Sequence, residues 1–219
     1  MIIVAIDGPS GSGKSTVARG VAAALGLATL DTGAMYRAIT HAVLAAGLDP
    51  GDAEGAAKIA DAASITVENG TTTLNGADIS TEIRGPEVTT AVSTVAAQPQ
   101  VRAVLVALQR SWVEAHGGGV VEGRDIGTVV FPDATVKVYL TACDEERARR
   151  RQRDEEAADR PVAVADVQAA LERRDALDSS RTASPLQAAD DAVVIDTTLL
   201  DVDTVVGDIV ARVRAAKDS

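Results

Sequence analysis

The sequence predicts an α/β fold in which a central, mostly parallel β-sheet is flanked by helices. Apolar runs typical of buried strands alternate along the chain with segments that have the apolar spacing of helices. The first run, residues 2–6, is apolar throughout and rich in β-branched residues, as expected of a strand buried on both faces of a parallel sheet. It leads through a glycine-rich turn into a predicted helix, which is half of a βαβ unit.

The remaining elements follow from apolar spacing and from the positions of glycine. The first helix is expected over about residues 14–25, where apolar residues recur at every fourth position before Gly26. A second helix is expected over about residues 33–46, ahead of Gly47. Further helices are expected over residues 101–112, 146–156 and 202–213, and further strands over residues 119–123, 135–140 and 192–196.

The sequence between residues 48 and 97 has a different residue pattern from the segments on either side, and it predicts an inserted subdomain. Its sequence SITVENGTTTLNG contains two short strand-like runs around Asn69-Gly70, a pair of residues that favours a tight hairpin turn. We therefore expect residues 1–47 and 98–219 to form the core, and residues 48–97 to form a smaller unit inserted into it.

Composition and charge limit the classes of protein that the chain can represent. Of its 219 residues, 46% are hydrophobic but only 2% are aromatic, so Val, Ile, Leu and Ala must fill the core. The formal net charge of −11 disfavours binding to nucleic acids, whose phosphates a binding protein must neutralise. No run approaches the ~20 apolar residues that span a membrane, and no secretory signal pattern is present, so we expect a cytoplasmic protein without membrane attachment. The single cysteine, Cys143, excludes an internal disulfide and is expected to be a small buried residue.

Residues 8–15, GPSGSGKS, match the phosphate-binding pattern G-x-x-x-x-G-K-[ST] in full. The match lies after a predicted strand and before a predicted helix, the context that this P-loop motif requires. Glycines allow successive backbone N–H groups to turn towards phosphate oxygens, and the helix N-terminus adds positive potential. Lys14 is expected to reach the β- and γ-phosphates, and the Ser15 hydroxyl to help hold Mg²⁺, partly through water. The predicted phosphate-binding residues are Gly8, Pro9, Ser10, Gly11, Ser12, Gly13, Lys14, Ser15 and Thr16.

A P-loop alone does not decide what the bound nucleotide is used for. A GTPase switch needs a guanine-reading N-K-x-D segment, which is absent from the sequence, and an assembly ATPase would usually be a longer chain. Arginines recur where a phosphorylated acceptor could be bound: Arg37, Arg102, Arg124, Arg174, Arg181 and five more at positions 147–153. Because guanidinium groups bind phosphate through paired hydrogen bonds, we expect the acceptor to be an anion.

Four motifs together make a resemblance to a known family specific. Besides the P-loop, these are LDTGAMYRA at residues 30–38, VVEGRDIGTVVFPDA at 120–134 and RRDALDSSRTASPL at 173–186. In this order, and along essentially the whole chain, they resemble bacterial cytidylate kinases. The resemblance implies a P-loop nucleoside-monophosphate-kinase fold, a monophosphate-binding insert and a helical lid at about residues 145–160. It also implies a monomer that transfers the γ-phosphoryl group of ATP to CMP or dCMP with Mg²⁺.

The resemblance further implies where CMP binds. Ser93, Arg102 and Asp125 match the family's base site, and Arg37 and Arg124 match its acceptor-phosphate site. A carboxylate at Asp125 suits the amino group of cytosine, whereas uracil would set a carbonyl oxygen against it. The implied CMP-binding residues are Thr32, Tyr36, Arg37, Ser93, Arg102, Arg124, Asp125, Arg174, Asp178 and Arg181. The last three, spaced for one face of a helix, serve the ribose and the phosphates in the family.

The arginine-rich segment at residues 146–156 allows two interpretations. Charged runs of this kind often form a solvent-facing helix. By its place in the family it would instead be the lid, which brings arginines over the bound phosphates and expels water. We expect Lys14, Arg147 and Arg151 to be catalytic, without a general base, because the attacking phosphate of CMP is already ionised. Two alternatives stay open: another small-molecule P-loop kinase, acting on UMP or shikimate, and a nucleotide-sensing protein that transfers no phosphate.

Overall fold

The computed structural model describes residues 1–68, 70–157 and 159–217 of the chain. In this part of the chain the strands are β1 (Ile2–Asp7), β2 (Thr29–Asp31), β3 (Ile65–Glu68), β4 (Thr71–Leu74), β5 (Ala77–Asp78), β6 (Gly118–Gly123), β7 (Val136–Thr141) and β8 (Val193–Asp196). The helices are α1 (Lys14–Leu25), α2 (Thr32–Ala45), α3 (Ala53–Ala62), α4 (Pro86–Ala96), α5 (Pro99–His116), α6 (Asp144–Ala157), α7 (Val164–Ser180) and α8 (Val202–Lys217). A 3₁₀ turn (Glu82–Arg84) precedes α4, and a π-helical turn (Ile126–Val130) follows β6.

Five parallel strands form the central sheet, in the order β2-β6-β1-β7-β8. This confirms the predicted α/β fold. β1 lies in the middle of the sheet, with Val4 and Ile6 fully buried, which accounts for its unbroken apolar sequence. Asp7 at the end of β1 pairs with Gly123 at the end of β6. The segments that follow these two strands therefore leave the sheet side by side at the same edge.

Helices flank the sheet on both faces, and the apolar residues pack in two main clusters. On one face α1 and α8 pack together, with Val21 and Ile209 fully buried. On the other face α2 and α5 pack with residues of the insert, and Ile39 and Leu105 are fully buried. Within the described residues, no single helix has the length and apolar composition of a membrane span. Helices α4 and α5 reach that limit only when they are taken together across a bend of 97°.

The segment from residue 48 to residue 97 carries a small antiparallel sheet of its own, ordered β3-β4-β5. Glu68 pairs with Thr71, as the predicted hairpin requires; Asn69 of its turn lies outside the described residues. The segment also contains α3 and α4, which were not predicted. Ile83 and Val92 from this segment belong to the same apolar cluster as Ile39 of α2. The insert therefore shares its core with the larger part of the chain.

Three local features differ from the sequence predictions. Helix α7 ends at Ser180, and Arg181 already has extended backbone (φ −65°, ψ 140°), so only Arg174 and Asp178 lie on a common helix face. Strand β2 is only three residues long, too short for an apolar pattern to reveal it. Cys143, expected to be buried, is exposed because it lies in the connection between β7 and α6.

Substitution of Gly118 tests the packing of β6 against β1, and substitution of Gly207 in α8 is its control. Gly118 has a φ of 131°, and a Cβ added to it would lie 2.4 Å from the carbonyl oxygen of Ile2. Gly118→Ala is therefore expected to lower the free energy of unfolding by about 3 kcal/mol, through backbone strain and overpacking. A Cβ on Gly207, which is exposed in α8, would meet no neighbouring atom within 4 Å. Gly207→Ala should therefore raise the free energy of unfolding by about 0.5–1 kcal/mol.

Urea denaturation of the two variants and the parent protein measures both changes. A Gly118→Ala protein as stable as the parent would contradict the described contact between β6 and β1.

Candidate active site

A cavity of about 660 Å³ opens at the sheet edge where β1 and β6 end. This volume is in the usual range for small-molecule sites. Most of the predicted residues line the cavity: Ser10, Gly11, Ser12, Gly13, Lys14, Ser15, Thr16, Thr32, Tyr36, Arg37, Ser93, Arg102, Arg124, Asp125, Arg151, Arg174, Asp178 and Arg181. Gly8, Pro9 and Arg147 are the predicted residues that do not line it. One cavity therefore brings together residues from all four sequence motifs.

The P-loop forms one end of the cavity. A Cβ on Gly8 (φ 147°) would lie 2.0 Å from the carbonyl oxygen of Leu140, so the loop can pass β7 only with glycine at this position. The Lys14 side chain is buried, and its Nζ donates a hydrogen bond to the Pro9 carbonyl oxygen at 2.7 Å. Burial, together with the nearby charge of Arg124, lowers the pKa of Lys14 to about 7. A bound polyphosphate would favour the charged form of this lysine again.

Glu122, near the end of β6, is a site residue that was not predicted. Its Oε2 accepts a hydrogen bond from the Ser15 hydroxyl at 2.9 Å, and its carbonyl oxygen accepts one from Thr32 Oγ1 at 2.7 Å. Burial and the neighbouring Asp31 carboxylate raise the pKa of Glu122 to about 7. The only sequence signal for Glu122 is that it is an acidic residue near the end of an apolar strand. Its partner Ser15 lies 107 positions away along the chain, so the sequence does not show that the two side chains meet.

Asp125 and Arg102 form a buried ion pair at the other end of the cavity. Arg102 also donates to Ser184 Oγ and to the Ala96 carbonyl oxygen, both at 3.2 Å, and its guanidinium lies 5.4 Å from the centre of the Tyr36 ring. Burial raises the pKa of Asp125, and the charge of Arg102 opposes this rise. The pair thus places a carboxylate and a guanidinium side by side, both largely shielded from solvent.

Asp178 connects four of the predicted CMP-binding residues to one another. Its Oδ1 accepts a hydrogen bond from Ser93 Oγ at 3.0 Å, and its Oδ2 accepts one from Arg124 Nε at 3.0 Å. Arg174 and Arg181 lie at 4.0 Å and 3.9 Å from the same carboxylate. Burial would raise the pKa of Asp178, but Arg124 and Arg174 outweigh it and lower the pKa. Ser93, predicted at the base, is therefore bonded to Asp178 in this structure.

Arg37 and Arg174 add half-buried positive charge to the wall of the cavity. Arg37 NH1 donates to the Ile83 carbonyl oxygen and to Thr89 Oγ1, both at 2.9 Å, which ties α2 to the insert. Burial and the neighbouring Arg174 together lower the pKa of Arg37 to about 9. Burial and Arg124 likewise lower the pKa of Arg174 to about 10. An anion bound between these side chains would relieve their repulsion.

The arginines of α6 have different surroundings. Arg147 pairs with Asp144 and Asp175 and donates to the Ser10 carbonyl oxygen at 3.0 Å, and it does not line the cavity. Arg149 is exposed and does not line it either. Arg150, Arg151 and Arg153 line the cavity. Arg151 pairs with Glu155. Arg150, which was not among the residues expected to be catalytic, donates to the carbonyl oxygen and the Oγ1 of Thr197, at 2.7 Å and 2.9 Å.

The family model described as Cytidylate kinase matches residues 4–215 of the 219 in this chain. The chain belongs to the cytidylate kinase family. The cytidylate kinase of Mycolicibacterium paratuberculosis is 54% identical over 200 residues, which cover 90% of this chain and 88% of that protein. The cytidylate kinase of Corynebacterium efficiens is 47% identical over 221 residues, with 99% and 96% covered.

Comparison with solved structures shows the fold that this cytidylate kinase family member shares with other kinases. A gluconokinase from Sinorhizobium meliloti 1021 superposes with a TM-score of 0.51 at 13% identity, over 99% of this chain and 94% of that chain. At this identity the likeness is one of fold alone. The sequence match and the fold match together confirm the predicted family and the predicted sheet architecture.

The cavity of this cytidylate kinase family member has two ends of different chemistry. The P-loop end offers backbone amides, the Lys14 amine and the oxygen atoms of Ser15 and Glu122. The other end offers the Asp125 carboxylate beside Arg102. Arg124 links the P-loop to Asp178, since its NH1 donates to the Gly8 carbonyl oxygen at 2.7 Å while its Nε donates to the Asp178 carboxylate at 3.0 Å.

Proposed function

We propose that this protein transfers the γ-phosphoryl group of ATP to CMP or dCMP, giving ADP and CDP or dCDP. The observation that carries the proposal is the Asp125–Arg102 pair in the same cavity as the P-loop. The pair supplies an acceptor for the exocyclic amino group of cytosine and donors for the ring acceptors. Membership of the cytidylate kinase family and the names of its relatives support the same pair of substrates.

The acceptor nucleotide would occupy the arginine-lined end of the cavity. We place the base at Asp125 and Arg102 and the phosphate at Arg37 and Arg124, where half-buried guanidinium groups favour an anion. Asp178, whose pKa is lowered by its arginine neighbours, would accept from a ribose hydroxyl. The remaining residues of this proposed site are Thr32, Tyr36, Ser93, Arg174 and Arg181. Residues 48–97 contribute both Ser93 and the partners of Arg37, which supports a role for the insert in binding the monophosphate.

The donor triphosphate would bind along the P-loop, where Lys14 lies. Ser15 and Glu122 present oxygen atoms 2.9 Å apart, a donor set that fits Mg²⁺. Among the described residues, no group of three or more His, Cys, Asp or Glu side chains could hold a metal by itself. Mg²⁺ commonly binds through one or two protein groups and substrate phosphates, so Ser15 and Glu122 suffice as the protein ligands. When bound, the ion would neutralise phosphate charge.

Catalysis would then consist of positioning and charge stabilisation. No general base is needed, because the attacking oxygen belongs to a phosphate that is already largely ionised. Lys14 and Arg151 line the cavity and would stabilise charge on the transferring group, with α6 acting as the lid that excludes water. A direct role of Arg147 at this phosphate stays a prediction, as do the monomeric state and the cytoplasmic location.

Turnover assays with Mg²⁺ and ATP test the proposed function directly. CMP, dCMP, UMP and shikimate are offered in turn, and ADP formation is measured for each. We expect fast turnover with CMP or dCMP and much slower turnover with the other two. Preference for UMP or shikimate would assign the protein to another kinase class, and ATP binding without any product would make it a nucleotide sensor.

Replacement of Asp125 by alanine tests how the base is read. Asp125→Ala should lower kcat/KM for CMP about 100-fold, because each buried polar contact that is lost costs about 1–3 kcal/mol. The preference of the Asp125→Ala protein for CMP over UMP should fall as well. Asp191→Asn is the matched control, because Asp191 is an exposed aspartate whose ion pair with Lys137 lies outside the cavity. An Asp125→Ala protein that still prefers CMP over UMP would overturn the assignment.

Two arginines of α6 provide a paired test of the lid. Arg151 lines the cavity, whereas Arg149 on the same helix is exposed and does not. Arg151→Ala should lower kcat about 100-fold, with a much smaller effect on KM for either substrate, as expected for charge stabilisation in the transition state. Arg149→Ala should leave kcat within about twofold. Steady-state kinetics of both variants measure these values, and equal values of kcat for the two variants would contradict the role given to Arg151.

A further inference from the structure

Asp7, the last residue of β1, is a buried carboxylate that the proposed mechanism does not use. It is only 4% exposed. Both of its oxygens accept hydrogen bonds from backbone N–H groups: Oδ1 from Ile126 at 2.8 Å and Oδ2 from Gly127 at 2.7 Å. Hydrogen bonds to an ionised acceptor are stronger than neutral ones, so these two contacts fix the beginning of the π-helical turn firmly.

The two amides belong to the residues that directly follow Arg124 and Asp125. On the other side of that pair, Arg124 NH1 donates to the carbonyl oxygen of Gly8 at 2.7 Å. Consecutive residues at the start of the P-loop, Asp7 and Gly8, therefore hold the Arg124–Asp125 segment from both sides. These contacts span about half of the chain, since Asp7 and Gly127 are 120 positions apart.

A carboxylate is an expensive group to bury at this place. Burial, together with the charge of Asp125, raises the pKa of Asp7 to about 6 against the opposing effect of its two amide bonds. Lys14 also acts in the opposite direction and favours the ionised form of Asp7. An apolar residue at position 7 would pack in the core at less cost in folding free energy. It would, however, leave both backbone amides without a hydrogen-bond acceptor.

We infer that Asp7 is a positioning residue that fixes the base-reading segment, Arg124 and Asp125, relative to the P-loop. The inference rests on the proposed function, because it assumes that Asp125 reads the base and that Arg124 binds the acceptor phosphate. Asp7 itself does not line the cavity, so it would act through these two residues and not on a substrate. Its two hydrogen bonds determine where the Asp125 carboxylate lies and how the acceptor phosphate is aligned with the donor phosphate. Asp7 thereby affects both base selection and phosphoryl transfer.

Asp7→Asn tests the inference with a minimal change of shape. The amide oxygen can still accept from one backbone N–H, but the amide nitrogen then faces the other N–H, donor against donor. We expect kcat/KM for CMP to fall about 30- to 100-fold, as is typical when a reacting group is displaced by about 1 Å. The preference for CMP over UMP should fall at least about tenfold, while the Kd for a non-hydrolysable ATP analogue changes less than about threefold. A loss of stability alone would not change the ratio of the two substrates.

Thr135→Val is the matched control. Thr135 Oγ1 accepts a hydrogen bond from the backbone N–H of Ile3 at 3.2 Å, so it makes the same kind of contact at the opposite end of β1. This variant should keep the CMP to UMP preference of the parent protein. An Asp7→Asn protein that binds the ATP analogue and keeps the same preference would overturn the inference. Failure of the parent protein to phosphorylate CMP would instead overturn the proposed function.

Amide hydrogen exchange in the parent protein supplies a second measurement that does not depend on the variant folding. The Ile126 and Gly127 N–H groups should be strongly protected in the free protein, and CMP should protect them further. Rapid exchange of either amide would show that Asp7 does not hold the segment and would overturn the inference.

Discussion

Crowded positive charge in a buried cavity is the constraint on which this site depends. Burial lowers the pKa of Lys14, Arg37 and Arg174, and each of them also lies near another arginine that disfavours its charged form. The chain as a whole has a net charge of −11, so this concentration of cations is local and specific. Asp125 and Asp178 balance part of the charge through ion pairs. The phosphates of two nucleotides are suited to balance the rest.

The parallel sheet provides the geometry that makes such crowding possible. β1 and β6 are neighbours in register, so the P-loop and the Arg124–Asp125 segment start side by side. Short polar contacts then join the two segments: Ser15 to Glu122, Arg124 to the Gly8 carbonyl oxygen, and Asp7 to the backbone beyond Asp125. Helix α7 reaches the same loop from outside, where Asp175 accepts from the Ser10 N–H at 3.3 Å. The proposed donor and acceptor sites are therefore parts of one connected structure.

Local signals in the sequence predicted the elements that depend on local interactions. The P-loop, helix α1 and the hairpin pairing of β3 with β4 follow from glycine positions and apolar spacing, and each was found where it was expected. The residues of the CMP site could be proposed only through family resemblance, because nothing in their spacing shows that Arg102 and Asp125 meet. Glu122, Asp7 and the contact between Arg150 and Thr197 were missed for the same reason: the partners are distant in sequence and are brought close only by the sheet. The end of α7 before Arg181 was missed because apolar spacing does not define helix ends closely.

Proton uptake on ATP binding tests the charge-crowding account most directly. At pH 8, above its lowered pKa of about 7, Lys14 is mostly neutral in the free protein. A triphosphate bound beside Lys14 favours its ammonium form, so the protein should take up a proton as ATP binds. Calorimetry at pH 8 in two buffers of different ionisation enthalpy should show an uptake of about one proton per ATP bound. A binding enthalpy that does not depend on the buffer would contradict the account.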